Sequence, residues 1–159
     1  MNYTTLARVK LEAIKTASTT DDALLNLLIA SASRSIDRVA TGVDSTEADD
    51  YFELASITDE ALVGQLDNFG NIVCGPHKPQ INAVSSLSYR FRPMDEWQTP
   101  ASNTLSTNGK LITAWTQLSI GPKKAFVKVS YNGGYSAATD MLPADIIELA
   151  TLLATRSRS

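Results

Sequence analysis

The chain has 159 residues, of which 43% are hydrophobic and 19% charged, with a net charge of −3 and an isoelectric point near 5.1. That is long enough for one globular domain with a real core, too short for two ordinary ones, and too apolar for a disordered chain. The acidic balance argues against a protein that works by neutralising phosphates, but a weakly negative surface suits one that surrounds DNA without gripping it.

The single cysteine, Cys74, has no partner for an internal disulfide, so the fold must be stable without one. The first five residues lack the basic run and apolar stretch of a secretion signal. The longest apolar stretches, 24–30 and 146–154, fall far short of the ~20 residues that cross a bilayer. A cytoplasmic chain without membrane contact is expected.

Thr4 or Thr5 can cap a first helix along which Leu6, Val9, Lys10, Ala13 and Ile14 share a face. Thr20 caps a second, with Asp21 and Asp22 in the first turn, where carboxylates favour the positive end of the dipole. Its apolar stripe is Leu25, Leu28, Ile29, Ala32, Ile36 and Val39, and Gly42 stands at the C-terminal cap. An acidic stretch, 43–50, reads as a solvated loop.

From 51 to 131 the character changes. Runs at 71–74, 81–87, 111–115 and 126–131 read as strands. Turn signals separate them at Asn68-Phe69-Gly70, Gly75-Pro76, Asn108-Gly109 and Gly121-Pro122. Val127 and Val129, with Lys128 and Ser130 between them, carry the period-two pattern of a half-exposed strand. Residues 58–65 fit a strand with a turn or a helical turn equally well. Pro143 and Asp145 then open a final helix with Ile146, Leu149, Ala150 and Leu153 on its core face. Ile147 and Leu152 widen the apolar arc beyond what one core contact needs.

The expected fold is α+β in a single domain: a small helical bundle, made of two N-terminal helices (1–42) and a C-terminal helix (143–157), carrying a β-rich insertion (51–131). No catalytic constellation emerges. Cys74 and His77 have the spacing of half a metal site without a second pair, and Gly75-Pro76 between them opposes a nucleophile–base contact. The adjacent carboxylates Asp49/Asp50, Asp59/Glu60 and Asp95/Glu96 point apart on a strand or loop. Arg34 with Arg38, and Arg90 with Arg92 around Phe91, could face DNA or a neighbouring subunit, although Asp37, Asp95 and Glu96 lie alongside as partners on a solvated surface. Trp97 and Trp115 read as packing or interface anchors, because no basic residues interleave with them.

Several stretches, in order, resemble the head–tail connector (adaptor) family of tailed bacteriophages. They are Tyr3-Thr4-Thr5-Leu6-Ala7-Arg8-Val9-Lys10, Asp21-Asp22-Ala23-Leu24-Leu25 and Ala32-Ser33-Arg34-Ser35-Ile36-Asp37-Arg38. The strand Lys78-Pro79-Gln80-Ile81-Asn82-Ala83-Val84-Ser85-Ser86-Leu87 follows, then Val127-Lys128-Val129-Ser130-Tyr131 leading to Gly133-Gly134-Tyr135, and Leu142-Pro143-Ala144-Asp145-Ile146. Residues 92–121 match nothing specific in that family.

The resemblance implies a non-enzymatic virion protein of the neck, built without cofactor or metal. It implies a homo-oligomeric, usually dodecameric ring beneath the portal protein, with a stopper or tail-completion protein on the other face and phage DNA passing through the centre. Docking on the portal would use the C-terminal segment, here Ile147, Leu149, Leu152, Leu153, Arg156 and Arg158. Other virion roles, as a tail-completion or terminator protein, and a DNA-packaging regulator, are the competing readings. Replacing Leu152 and Leu153 with Asp is expected to abolish portal docking, as read by pull-down.

Overall fold

The computed structural model describes residues 1–16, 18–42, 50–119, 122–136 and 142–156. The chain divides into two compact units: Met1–Glu53 with Tyr135–Ser159, and Leu54–Gly134.

The first unit is helical. Thr5 caps α1 (Leu6–Arg8) by accepting from the Arg8 amide at 3.2 Å, and a π-helical segment, Val9–Ile14, continues it until Lys15 turns left-handed. Helix α2 spans Asp22–Thr41 and ends on Gly42 at φ +67°, whose amide reaches the Arg38 carbonyl at 2.9 Å. Helix α3 spans Ala144–Arg156, immediately after Pro143.

The buried stripe of α2 is rotated from the expected one. It comprises Leu25, Ile29, Ala32, Ser33, Ile36 and Asp37, while Val39 is 84% exposed. The rotation has a polar cause. The Tyr3 hydroxyl donates to the buried Asp37 carboxylate, the Tyr3 amide donates to Ser33 Oγ at 2.9 Å, and the Asp50 amide donates to Asp37 Oδ2 at 2.9 Å. A buried carboxylate without such donors would cost several kcal/mol, roughly, so the network selects the face that turns inward. Asp37 is therefore a core residue rather than the solvated partner of Arg34 and Arg38. Burial, and then the bond to Asp37, hold the Tyr3 hydroxyl far above the usual phenol range. Around this network Val9, Leu25, Ile29, Ala32 and Ala154 form one apolar cluster, and Tyr3, Ile36 and Ala150 another. Each large member contributes about 1.5–3 kcal/mol by leaving water.

The second unit is a six-stranded, wholly antiparallel sheet: β1 (Ala55–Leu66), β2 (Ile72–Cys74), β3 (Ile81–Arg90), β4 (Leu105–Thr107), β5 (Ile112–Ala114) and β6 (Lys124–Gly133), in the order β3-β6-β1-β2-β5-β4. The ends of that order, β3 and β4, approach each other. The Ile81 amide donates to the Gly109 carbonyl at 2.8 Å, and Tyr89 and Gln98 exchange two backbone bonds of 2.8 and 2.9 Å. The sheet is thus curled close to a barrel around Ile72, Leu87, Ile112, Val127, Val129 and Tyr131.

This corrects the expected fold class. The β region is not an excursion from a helical bundle but a body with its own core, because strands of ten and twelve residues are long enough to wrap one. The order helical, β-rich, helical is as expected. Residues 58–65 prove to be strand. A bulge between Ile57 and Glu60 puts Thr58 and Asp59 both outside, with Asp59 at φ +51°, and rephases the strand so that Glu60, Leu62, Gly64 and Leu66 point inward. The short β4 carried no readable pattern, and Gly121 of the Gly121-Pro122 turn, like most of the acidic stretch (43–49), lies outside the described residues.

The β1–β2 turn is fastened to the segment after β5. Backbone amides of Asn71 and Phe69 donate to the Asp67 carboxylate at 2.9 and 2.8 Å, lowering its pKa, with the Asn71 bond first. The Gly70 carbonyl accepts from the Leu118 amide at 2.9 Å and from Thr116 Oγ1 at 2.8 Å. Gly70 sits at φ +77°, and a Cβ there would lie 2.0 Å from the Leu118 carbonyl oxygen. Gly70→Ala is expected to cost about 2 kcal/mol or more, since both the left-handed backbone and the close approach oppose a side chain. Urea unfolding, read at constant slope, measures it.

Candidate functional site

Two surfaces and one polar cluster bring functional side chains together. The first surface is the outer face of α3. Ala150, Thr151 and Ala154 are buried, and Ile146 and Leu153 pack against the helical unit's clusters. Leu149 and Leu152, three residues apart and 44% and 57% exposed, remain outside together with Arg156. Of the residues expected to dock, Ile147 is half-buried and Leu153 belongs to the interior. Leu149, assigned from its spacing to the core, faces out. The apolar arc is real, but its surplus is Leu149 and Leu152 rather than Ile147 and Leu152. Arg158 lies outside the described residues.

The second surface was not foreseen. Arg90, at the end of β3, and Lys128, in the middle of β6, both sit over the Trp97 indole, with Arg90 Cζ 4.4 Å and Lys128 Nζ 4.6 Å from the ring centre. Cation–π attraction of this kind contributes about 0.5–2 kcal/mol per cation. Basic residues do therefore gather at Trp97, from positions 7 and 31 residues away in sequence, which no local pattern displays. Arg90 and Arg92 do not share a strand face: β3 ends at Arg90, and Arg92 is exposed in the turn that Asp95 closes by accepting from its amide at 3.0 Å. Arg34 is exposed on α2, whereas Arg38 is half-buried. Trp115 is 53% exposed and donates its indole N–H to Ser106 Oγ at 2.9 Å.

The polar cluster joins Glu60, His77 and Tyr131. Glu60 Oε1 is 2.8 Å from His77 Nδ1, Glu60 Oε2 accepts from the Tyr131 hydroxyl at 3.0 Å, and that hydroxyl accepts from the Lys78 amide at 3.2 Å. The inward turn of Glu60 follows from the bulge, and the loop after β2 is tied to the sheet through it. His77 thus meets Glu60 rather than Cys74. Among the described residues no group of three or more His, Cys, Asp and Glu is placed to hold a metal ion, and no helix is long and apolar enough to cross a membrane.

Chemically these parts amount to an exposed apolar helix face on the helical unit, and to a cation–indole face and a Glu–His–Tyr cluster on the curled antiparallel sheet unit. In comparisons with known proteins, the chain matches no family model and no curated protein.

Cys74 is 3% exposed, and burial, with the Glu60 charge adding to it, pushes its thiol up to about 11. At pH 8 roughly one thiol in a thousand would be ionised. The folded protein is expected to leave Cys74 unlabelled by a thiol-reactive disulfide reagent at pH 8 and to react fully once unfolded in urea. Fast labelling of the native chain would contradict this burial.

Proposed function

We propose that this chain is a structural subunit of the head–tail connector ring in the neck of a tailed bacteriophage. In that reading it joins head to tail, has no enzymatic role, and leaves a central passage for DNA without reading its sequence. One observation carries most of the weight: α3 keeps Leu149 and Leu152 in water although its opposite face already fills the core of the helical unit. Large side chains exposed side by side on a helix mark a surface that finishes its burial against another protein. The resemblance of the ordered motifs from Tyr3 to Ile146 to the connector family supports the portal as that protein and the C-terminal helix as the docking element. Arg156, one turn beyond Leu152, would contribute a charged rim contact. A ring also requires two different, mutually complementary patches on each subunit.

The test replaces both outward leucines and spares the buried one. Leu153→Asp, which would put a charge among Ile146, Leu28 and their neighbours, reports on folding rather than docking. Leu149→Asp with Leu152→Asp is expected to leave the melting temperature near that of the parent chain. It should weaken capture by the cognate portal protein by roughly tenfold or more. Undiminished capture removes α3 from the docking role. Capture of the parent chain by a tail-tube protein and not by portal favours the tail-completion reading instead.

A further inference from the structure

The outer face of the sheet carries a groove that stands open among the described residues of the sheet unit. Val63 on β1 and Phe126 on β6 are register partners, 60% and 43% exposed, and Arg90 on β3 is the partner of Phe126 on the other side. Two residues along, Ala61 pairs with Lys128. With Trp97 and His77 these rows line an open groove of about 460 Å³. Its floor is apolar and its two cations are stacked on an indole. That stacking holds the charges but provides no hydrogen-bond acceptor for the buried Arg90 Nε. Among the described residues neither cation has a carboxylate within salt-bridge distance, and Arg90 Nε is buried without an acceptor. An occupant that brings both carboxylates and apolar side chains complements this groove.

The charges of the chain say where such a surface exists. Residues 54–134 carry seven Lys and Arg against five Asp and Glu, whereas 1–53 with 135–159 carry seven against twelve. On the acidic unit, Leu24 and Leu27 stand 49% and 69% exposed on α2, near its first turn, where Asp22 Oδ1 accepts from Lys10 Nζ at 2.8 Å. We infer that the groove receives the acidic helical unit of a second copy of this chain, at the α2 face of Leu24 and Leu27. The inference deepens the connector reading and rests on it. A ring needs one patch that is not a copy of the other, and oppositely biased units on one chain supply such a pair. A nucleic acid is a poorer occupant, because it would match the two cations and leave Val63 and Phe126 facing phosphates.

Sedimentation velocity of the full chain, at low and at physiological salt, tests this with two surface variants. The parent chain is expected to self-associate with concentration, less so as salt rises. Arg90→Glu with Lys128→Glu, and separately Leu24→Ser with Leu27→Ser, should each weaken association by roughly 30-fold or more. Both should still unfold in one cooperative transition, at a lower temperature for the Arg90/Lys128 pair, which loses its contacts with Trp97. Mixed together, the two variants should recover a heterodimer and stop there, since each retains the patch the other lacks.

A parent chain that stays monomeric at the highest attainable concentration overturns the inference. So does a groove variant that associates like the parent, or one whose only defect is lost binding of labelled DNA. Portal capture separates this from the connector reading. Groove variants still captured through Leu149 and Leu152 leave that reading intact when self-association fails. A parent chain that self-associates through the groove without being captured would remove the connector reading alone.

Discussion

Side-chain alternation along β6 is the constraint on which both the core and the exposed face of the sheet unit depend. Ala125, Val127, Val129 and Tyr131 point inward and are buried, while Phe126 and Lys128 point out. The two long strands, β1 and β3, take their register from β6, one on either side. A slip of one residue would send Lys128 and Phe126 into the barrel and Val127 and Val129 into water, so the register is held by several buried side chains at once. The same pairing that fills the interior therefore places Val63, Phe126 and Arg90 in one row outside it. The groove is a by-product of a register that the core enforces.

In the helical unit the corresponding role falls to a polar group. Asp37 is almost fully buried and receives donors from Tyr3 and from the Asp50 backbone, which ties the N-terminal segment and the chain beyond α2 to a single helix face. Apolar packing alone would accept several rotations of α2 at similar cost. Satisfying a buried carboxylate accepts one, and with it Leu24 and Leu27 are committed to the outside. Buried polarity and exposed apolarity have the same origin on this helix.

Several titratable groups among the described residues are spent on architecture. Glu60 holds His77 and Tyr131 together, Asp67 closes a turn, and Cys74 is kept as a neutral thiol by burial. Among the exposed apolar side chains of the described residues are two leucines on α3, two on α2, and the floor of a cationic groove on the sheet.

Much of this was legible along the chain, and the exceptions have specific causes. Three helices, the strands read at 71–74, 81–87, 111–115 and 126–131, and the caps at Thr4 or Thr5 and at Gly42 followed from periodicity and turn chemistry, which act over a few residues, and the structure lengthens two of those strands to 81–90 and 124–133. β1 was hidden because its bulge breaks the alternation and a Glu occupies an inward position. β4 is too short to show a period. The curling of the sheet into its own core, which made the β region a body rather than an insertion, depends on β3 and β4 meeting across the whole order. Leu149 and Leu153 could not be sorted by spacing, since which edge of an apolar arc turns inward is decided by the neighbouring helix. By itself the sequence determined where the chain bends and which segments repeat at two or at three to four residues, because those are local steric and hydrogen-bonding preferences. Only the tertiary structure decided that Asp37 is interior and that Arg90, Trp97 and Lys128 meet, because contacts between distant positions depend on strand register and helix rotation, which are settled by burial of the whole.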